Sequence, residues 1–519
     1  MAAALQQSRS QLGDSIRQRS AEEHAKTMLE RARWAAAAFA NYDRDRTLKI
    51  ARAVADAGFA KAGHYGDWAV KETGFGVAEH KKIKNELCSR GIYEHYKDEL
   101  FVGKRIDYDS KIVEIARPAG VIFALTPSTN PVSTVYFKIM CALLTRNAIL
   151  ISPHPLAKAC SADAAKMMHD AAVKAGAPDG VIQVIEQPTI ELIQTLMMQP
   201  QVDVILATGG TPVVRAAYRS GNPAIGVGPG NAPVFVDATA DLAQAAKRIV
   251  ASKSFDNSIL CTNESVLVAE DPIADKLLRH LQAEGAHLCS DEERDQLRAY
   301  LFPEDRFNIA AIGKDASWIA KEAGIRAPAK AKILLAPFDL AMPEEPFCRE
   351  KLCPVLGFHR VPHAKRGIAV SRTLIRLGGA GHSAAIHSKN AKTIMAFAAA
   401  VNALRVAVNS GCSTGAAGFD TNLAPSMTIG TGFFGRSSIG ENIAPKHLIN
   451  WTRIAYPKEA EAALGDYDGI EPWDEVSWPA AGGAHISAPA RANDDDALAG
   501  MRDEIRQLVL EELRQMFMS

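Results

Sequence analysis

The sequence of 519 residues lacks an excess of charge of either sign and lacks long apolar runs. Its 59 basic residues balance 59 acidic ones, so no global field attracts nucleic acid or an anionic membrane. No segment reaches the roughly 18 uninterrupted apolar residues of a membrane helix, and the start of the chain lacks the apolar core of a signal peptide. We therefore expect a cytoplasmic protein whose partner is a small molecule or another protein.

Cysteines are present but are neither paired nor clustered. None of the eight belongs to a CxxC pair or to a Cys/His cluster at zinc spacing, so neither a disulfide framework nor a structural metal is indicated. The eight are Cys88, Cys141, Cys160, Cys261, Cys289, Cys348, Cys353 and Cys412.

The length implies about two to four domains, because a domain takes roughly 100 to 200 residues. From Gly120 to about Asn231, near-continuous apolar strands alternate with helical segments. Such strands belong to a parallel sheet covered by helices on both faces, which predicts a doubly wound nucleotide-binding α/β domain. Ahead of it, Ser20 and Glu23 match a capping box that would open a helix, and a second helical run spans residues 44–60.

The segments outside this domain differ in character. Residues 104–118 alternate apolar and polar side chains on either side of a "DYDS" turn, which predicts an exposed hairpin. A second unit of mixed strands and helices follows from residue 233. Residues 477–496 are rich in Pro, Ala and Gly and are predicted to be a disordered linker to an amphipathic helix at 497–519.

A Gly-Gly pair follows the strand-like stretch "VDVILAT". Thr208, Gly209 and Gly210 would lie at the carboxyl end of that strand, where open α/β sheets bind ligands. Glycines there let backbone N–H groups and the dipole of the next helix approach a pyrophosphate. A plain tight turn is the alternative, but the position in a doubly wound sheet favours a phosphate site.

Five motifs in order carry a family resemblance: "TPSTNP", "ILATGGTPVVRAAY", "GNPAIGVGPGNAPVFVD", "SFDNSILC" and "EKLCPVL". Together they resemble the aldehyde dehydrogenase superfamily, and specifically its CoA-acylating branch, from about Ser20 to Asn450. The resemblance implies an α/β fold with a Rossmann-type cofactor domain (1–103 and 119–232) and an α/β catalytic domain (233–442). It also implies a β oligomerisation arm (104–118 and 443–456), so we expect a homo-oligomer, a dimer or a tetramer.

Cys261 resembles the family's nucleophile, whose thiolate adds to an aldehyde and becomes an acyl thioester after hydride transfer to a nicotinamide. A buried structural thiol is the alternative. Val227 stands where hydrolytic members carry the glutamate that activates water, and valine cannot take a proton. The resemblance therefore implies transfer of the acyl group to coenzyme A; a hydrolytic enzyme that makes a carboxylic acid is the alternative, if another carboxylate replaces the missing base.

The resemblance assigns further roles around the cysteine. Glu350 matches the glutamate that holds the nicotinamide ribose, and Asn130 is a candidate oxyanion donor, although its neighbour Thr129 occupies the position of the family's asparagine. Thr126 and Ser152 are candidate cofactor contacts. Because Ser152 replaces a common lysine and no basic residue is placed for a 2′-phosphate, NAD is favoured and NADP stays open.

Two features remain with open alternatives. His382, in a Gly-rich stretch, either lines the active site or is satisfied within a turn. The terminal helix resembles the encapsulation peptides that dock enzymes to shell proteins of bacterial microcompartments, and packing on its own oligomer is the alternative. Its apolar face is formed by Leu498, Met501, Ile505, Leu508, Val509, Leu513, Met516 and Phe517.

Overall fold

A computed structural model describes residues 2–459 and 463–474, with side chains from residue 18 onward. The linker and helix predicted for residues 477–519 lie outside the described residues. Among those described, no helix combines the length and apolar character needed to cross a membrane.

The strands of the described residues are β1 (Lys104–Asp107), β2 (Ile112–Pro118), β3 (Val121–Leu125), β4 (Ala148–Ser152), β5 (Ile182–Val184), β6 (Val204–Thr208), β7 (Ala224–Val227), β8 (Ala232–Val236), β9 (Glu264–Glu270), β10 (Ala286–Leu288), β11 (Ile333–Pro337), β12 (Val355–Val361), β13 (Gly381–His387), β14 (Ala403–Val408) and β15 (Ile449–Ala455). The α-helices are α1 (Ala2–Phe39), α2 (Arg44–Ala60), α3 (Ala62–Thr73), α4 (Ala78–Glu86), α5 (Ile92–Tyr96), α6 (Pro131–Leu144), α7 (Lys158–Lys174), α8 (Ile190–Met198), α9 (Thr211–Arg219), α10 (Leu242–Ser254), α11 (Asp271–Ala283), α12 (Asp291–Leu301), α13 (Ala316–Glu322), α14 (Ala364–Leu377), α15 (Ala391–Ala400) and α16 (Cys412–Ala416).

A five-stranded sheet has the order β5-β4-β3-β6-β7, and all its pairs are parallel. Every residue of β3 and β4 is buried, because α2, α6 and α7 pack on one face of the sheet and α1 and α8 on the other. Each fully buried large apolar side chain in these layers contributes about 1.5–3 kcal/mol. The predicted doubly wound domain is confirmed, and its strand order reverses between β3 and β6, which opens a crevice at their carboxyl ends.

A seven-stranded sheet follows, in the order β10-β11-β12-β9-β8-β13-β14, and its pairs are also parallel. Four residues, 228–231, connect the carboxyl end of β7 in the first sheet to the amino end of β8 in the second. The link therefore brings the ligand-binding edge of one sheet to the amino edge of the other.

A third sheet is antiparallel and has the order β1-β2-β15. The predicted hairpin is present as β1 and β2, and β15 pairs with the whole of β2, from Ile449 opposite Pro118 to Ala455 opposite Ile112. Both outer strands, β1 and β15, have one edge without a partner strand in this sheet.

The capping box predicted at Ser20 is wrong. Helix α1 runs through this position from Ala2 to Phe39, so Ser20 is an interior helical residue. The preceding stretch is rich in the good helix formers Ala, Leu, Gln and Arg and contains no proline, so nothing in it forces the helix to begin later. The second helical run is confirmed as α2.

Candidate active site

Cys261 lies in a loop at the amino end of β9, directly after a strained turn. Asp256, Asn257 and Ser258 follow α10 with φ values of 49°, 51° and 62°. Such left-handed conformations cost about 1–3 kcal/mol for each non-glycine residue, so the surroundings must hold them. Asn257 is held by its Nδ2, which donates to Gly313 O at 2.9 Å and to the Asp315 carboxylate at 2.9 Å.

The Asp256 carboxylate is fully buried in a cluster of donors from the N-terminal region. It accepts hydrogen bonds from Val77 N–H at 2.7 Å, from Lys81 Nζ at 3.2 Å and from Lys84 Nζ. Burial alone would raise the pKa of Asp256, but the Lys84 and Lys81 charges and these hydrogen bonds lower it overall. The carboxylate therefore stays ionised and ties the cysteine loop to α4.

Asn130, at the start of α6, is fixed by the same cluster. Its Oδ1 accepts from Lys84 Nζ, and its Nδ2 donates to Thr129 Oγ1 at 3.2 Å and to Ile259 O at 3.4 Å. Because an ammonium group only donates, the amide oxygen must face Lys84 and the NH₂ group must face the cysteine loop. The Thr129 hydroxyl accepts from the same amide, so the two side chains lie next to each other, and the oxyanion role of Asn130 stays a prediction.

Of the eight cysteines, all within the described residues, only Cys261 is partly exposed. Burial of its thiol and the nearby Glu350 carboxylate raise the pKa of Cys261 to about 12, although Arg405 and Lys84 act in the opposite direction. Burial likewise raises the pKa of Glu350 to about 7. The raised pKa of Cys261 favours the protonated thiol at neutral pH.

Gly230 holds Glu350 and the cysteine loop together. Its N–H donates to Glu350 Oε1 at 3.2 Å, and a Cβ at this position would lie 1.9 Å from Cys261 O. Only glycine leaves the room for this approach. The Glu350 carboxylate and the Cys261 carbonyl therefore both lie next to Gly230.

The predicted cofactor residues lie at the carboxyl edge of the five-stranded sheet. Thr126 follows β3; its N–H donates to Ser152 O at 3.1 Å, and its buried Oγ1 has no partner among the described residues. Thr208 ends β6 and lies 3.3 Å, oxygen to oxygen, from Thr428 Oγ1. Gly209 and Gly210 lead into α9, whose first residues are exposed. Thr126 and Thr208 thus flank the crevice between β3 and β6.

Val227 and His382 are both buried. Val227 ends β7 and pairs in register with Thr208 of β6. His382 begins β13, with Nδ1 2.9 Å from Ser383 Oγ and with Nε2 unpartnered among the described residues. Burial and the Arg405 charge lower the pKa of His382 to about 3, so its imidazole is neutral.

Sequence reasoning missed several buried cations around this site, among them Lys84, Lys138 and Arg405. Lys84 carries no motif, and only the fold brings it to Asp256. Lys138 Nζ donates to Leu125 O at 2.6 Å and to Leu206 O at 2.8 Å, so it bridges β3 and β6 below the crevice; a single lysine in the apolar run "VYFKIMCALL" was a usable signal. Arg405 donates to backbone carbonyls and to the amide of Asn442, and it lies close enough to Cys261 to lower the pKa of the thiol.

The sequence matches the profile of the aldehyde dehydrogenase family over residues 11–298. The chain belongs to the aldehyde dehydrogenase family. An aldehyde-alcohol dehydrogenase of Clostridium acetobutylicum is 41% identical over 399 residues, which make up 75% of this chain and 46% of that protein. The chain thus spans about half the length of the curated relatives that it matches at this level.

Two solved structures are matched over almost their whole length. An acetylating aldehyde dehydrogenase from Geobacillus thermoglucosidasius has a TM-score of 0.83 and 37% identity over 85% of this chain and 98% of its own. A propionaldehyde dehydrogenase from the fucose utilisation microcompartment of Clostridium phytofermentans has a TM-score of 0.75 and 28% identity, over 83% of this chain and 97% of its own. The aldehyde dehydrogenase-like α/β fold is thereby confirmed, and the names of these relatives favour the CoA-acylating prediction over the hydrolytic one.

Proposed function

We propose that the protein interconverts a small aldehyde, NAD and coenzyme A with the acyl-CoA and NADH, through a thioester on Cys261. The observation that carries the proposal is Val227, which ends β7 beside Thr208 and supplies no base to activate water. An external thiol depends less on such a base, because it ionises far more readily than water. The similarity to an acetylating relative supports the same acceptor.

In the forward direction the Cys261 thiolate adds to the carbonyl carbon of the aldehyde, and a C–S bond forms while the oxygen becomes an oxyanion. We expect the Asn130 Nδ2 group, which donates to Thr129 Oγ1 and Ile259 O in the structure, to donate to that oxyanion and so to stabilise the tetrahedral intermediate. NAD, when bound, supplies the hydride acceptor that turns this adduct into the thioester. Attack by the CoA thiolate then breaks the C–S bond to Cys261, which leaves as a thiolate.

The residues at the carboxyl edge of the five-stranded sheet fit a dinucleotide. The exposed start of α9, after Gly209 and Gly210, offers backbone N–H groups and the positive end of the helix dipole to a pyrophosphate. The unpartnered Oγ1 of Thr126 and the end of β4 at Ser152 lie along the same edge. In this proposal Glu350, whose carboxylate lies near the Cys261 thiol, accepts hydrogen bonds from ribose hydroxyls.

The test is to incubate the protein with aldehyde and NAD, with and without CoA, and to measure NADH and acyl products. With CoA we expect NADH and acyl-CoA in equal amounts; without it we expect a burst limited to one NADH per chain. Cys261→Ala should abolish turnover, whereas Cys353→Ala, the matched control at a buried thiol, should retain it. Full-rate NADH formation without CoA, with accumulation of carboxylate, would overturn the proposal.

One observation supplies a candidate base for the hydrolytic alternative. Glu350 is a carboxylate near Cys261 with a pKa of about 7, which suits a general base. If it activates water, Glu350→Gln should abolish release of carboxylate while the NADH burst remains. Under the acyl-CoA proposal, the same variant should instead weaken cofactor binding and slow the burst itself.

The proposal includes a homo-oligomer built through the three-stranded sheet. Its outer strands β1 and β15, and the edge strand β14 of the seven-stranded sheet, have free edges of the kind that pair with a second chain. Exposed Leu404 and Val408 on β14 add an apolar surface along one of these edges. Sedimentation equilibrium should give a dimer or tetramer, and a monomer at micromolar concentration would contradict this part.

The helix predicted for residues 497–519 is proposed to dock the enzyme to a microcompartment shell protein. Support comes from its eight apolar residues on one face and from the structural relative that belongs to such a compartment. Truncation after Pro479 should leave the kinetics unchanged but abolish co-sedimentation with shell proteins. Co-sedimentation that persists would assign the helix to its own oligomer instead.

A further inference from the structure

A cluster of three side chains with different ligand atoms lies at the outer edge of the seven-stranded sheet, away from the cysteine loop. His287 and Cys289 are two residues apart on and just after β10, so both side chains point to the same face. Glu293, in the first turn of α12, reaches back toward them. One imidazole nitrogen, the thiol sulfur and one carboxylate oxygen all lie within 4.8 Å of one another.

The carboxylate of the cluster is already oriented by the backbone. Glu293 Oε2 accepts from Ser290 N–H at 3.0 Å and lies 3.1 Å from His287 Nε2, while Glu293 N–H donates to Ser290 Oγ at 3.2 Å. This reciprocal pair is a capping box at the start of α12. The strand beside it is equally fixed, because Cys289 N–H donates to Leu335 O of β11 at 3.0 Å.

We propose that His287, Cys289 and Glu293 bind one Zn²⁺ ion, with solvent as the fourth ligand. Imidazole, thiolate and carboxylate are the three ligand types that zinc accepts, in tetrahedral sites with bonds of about 2.0–2.3 Å. Such bonds place ligand atoms about 3.3–3.8 Å apart, so a shift of roughly 1 Å by side chains at a sheet edge completes the site. One thiolate and one carboxylate also neutralise the ion, which lowers the cost of its partial burial.

The surroundings support a metal at this position. His287 and Glu293 are 17% and 21% exposed, which leaves a path to solvent, whereas Cys289 is buried against the hydrophobic core. Bound zinc would join the edge strand β10 to α12.

The test is equilibrium dialysis of the full chain, stripped of metal with a chelator, against Zn²⁺, followed by metal analysis. All variants carry Cys261→Ala, so that the partly exposed thiol does not contribute. We expect one Zn²⁺ per chain in this background and in the matched control with Cys353→Ser, but not with Cys289→Ser. With Co²⁺ as the probe, the thiolate-to-metal absorption band should appear in the first two and be missing from the third.

Because Cys289 is buried, variants at the two partly exposed ligands provide a second readout. His287→Gln and Glu293→Gln should each weaken Zn²⁺ binding by at least about tenfold, whereas Ser290→Ala, which keeps the backbone N–H that orients the Glu293 carboxylate, should have a smaller effect. Circular dichroism of the metal-free variants checks folding. Absence of Zn²⁺ from the Cys261→Ala chain, or binding that is unchanged in the His287 and Glu293 variants, would overturn the proposal.

Discussion

Lys84→Met should remove two hydrogen bonds at once, because both have the Lys84 ammonium group as their donor. The Lys84 ammonium donates to the Asp256 carboxylate, which holds the cysteine loop, and to the Asn130 amide oxygen, which fixes the direction of the NH₂ group. Methionine keeps most of the side-chain volume but cannot donate to either oxygen. We therefore expect both the free energy of unfolding and the turnover number kcat to fall.

The structure sets the size of each effect. Loss of one partner from a buried ion pair costs about 3–5 kcal/mol when the other charge is left unpaired. Here Lys81 Nζ at 3.2 Å and Val77 N–H at 2.7 Å still contact Asp256, so we expect about 2–3 kcal/mol. Removing an oxyanion donor lowers kcat by about 10²–10³-fold. An Asn130 amide that is free to flip keeps part of its donor capacity, so we expect a loss of roughly 30-fold.

Lys81→Met is the matched control, because it removes a cation from the same carboxylate but leaves the Lys84–Asn130 contact in place. Urea unfolding should show similar destabilisation of the two variants, while initial rates at saturating substrates should show the larger loss of kcat only for Lys84→Met. Asn130→Ala should lower kcat by a smaller factor in the Lys84→Met background than in the parent. Equal losses of kcat in the two lysine variants, or a full additional loss from Asn130→Ala, would refute the positioning role of Lys84.

Three further predictions concern the thiol and its acceptor. The rate at which iodoacetamide alkylates Cys261 should keep rising from pH 7 to pH 10 without a plateau, because the pKa of Cys261 is about 12. A plateau near pH 8 would contradict this. Glu350→Gln removes the negative charge that raises the pKa of Cys261, so alkylation at pH 8 should be faster than in the parent, and an unchanged rate would show that burial alone sets the pKa. Val227→Glu supplies a carboxylate at the end of β7, and it should allow slow CoA-independent release of carboxylic acid that Val227→Leu does not; no carboxylate from a folded variant would count against Val227 as the reason for CoA dependence.

The parallel sheets could be predicted from the sequence because they depend on local patterns, and the proposed role of Cys261 rests on a local pattern too. Apolar strands between helices indicate a parallel sheet wherever they occur, and Cys261 follows a motif contiguous with it. The error at Ser20 has the same origin: a capping box is a local signal, and good helix formers on both sides override it.

The charged groups behind the site could not be predicted, because they meet only in three dimensions. Lys81 and Lys84 lie more than 170 positions before Asp256, and no spacing rule links a helix near the N-terminus to a loop between α10 and β9. His287, Cys289 and Glu293 are close in sequence, but their spacing matches none of the common zinc motifs. Only the turn from β10 into α12 brings the third ligand back to the first two.

Because of the way the two parallel sheets join, the position of the Cys261 thiol does not depend on the residues that would select the substrate. The link 228–231 fixes the end of β7, where the cofactor is expected, against the start of β8, and Gly230 within it contacts both Glu350 and the backbone of Cys261. A side chain at Gly230 would overlap the Cys261 carbonyl, so the position of the nucleophile is determined by backbone packing and by the buried Asp256 cluster. Other side chains around the proposed acyl-transfer site can therefore change without displacing the thiol, which would let the site accept aldehydes of different size.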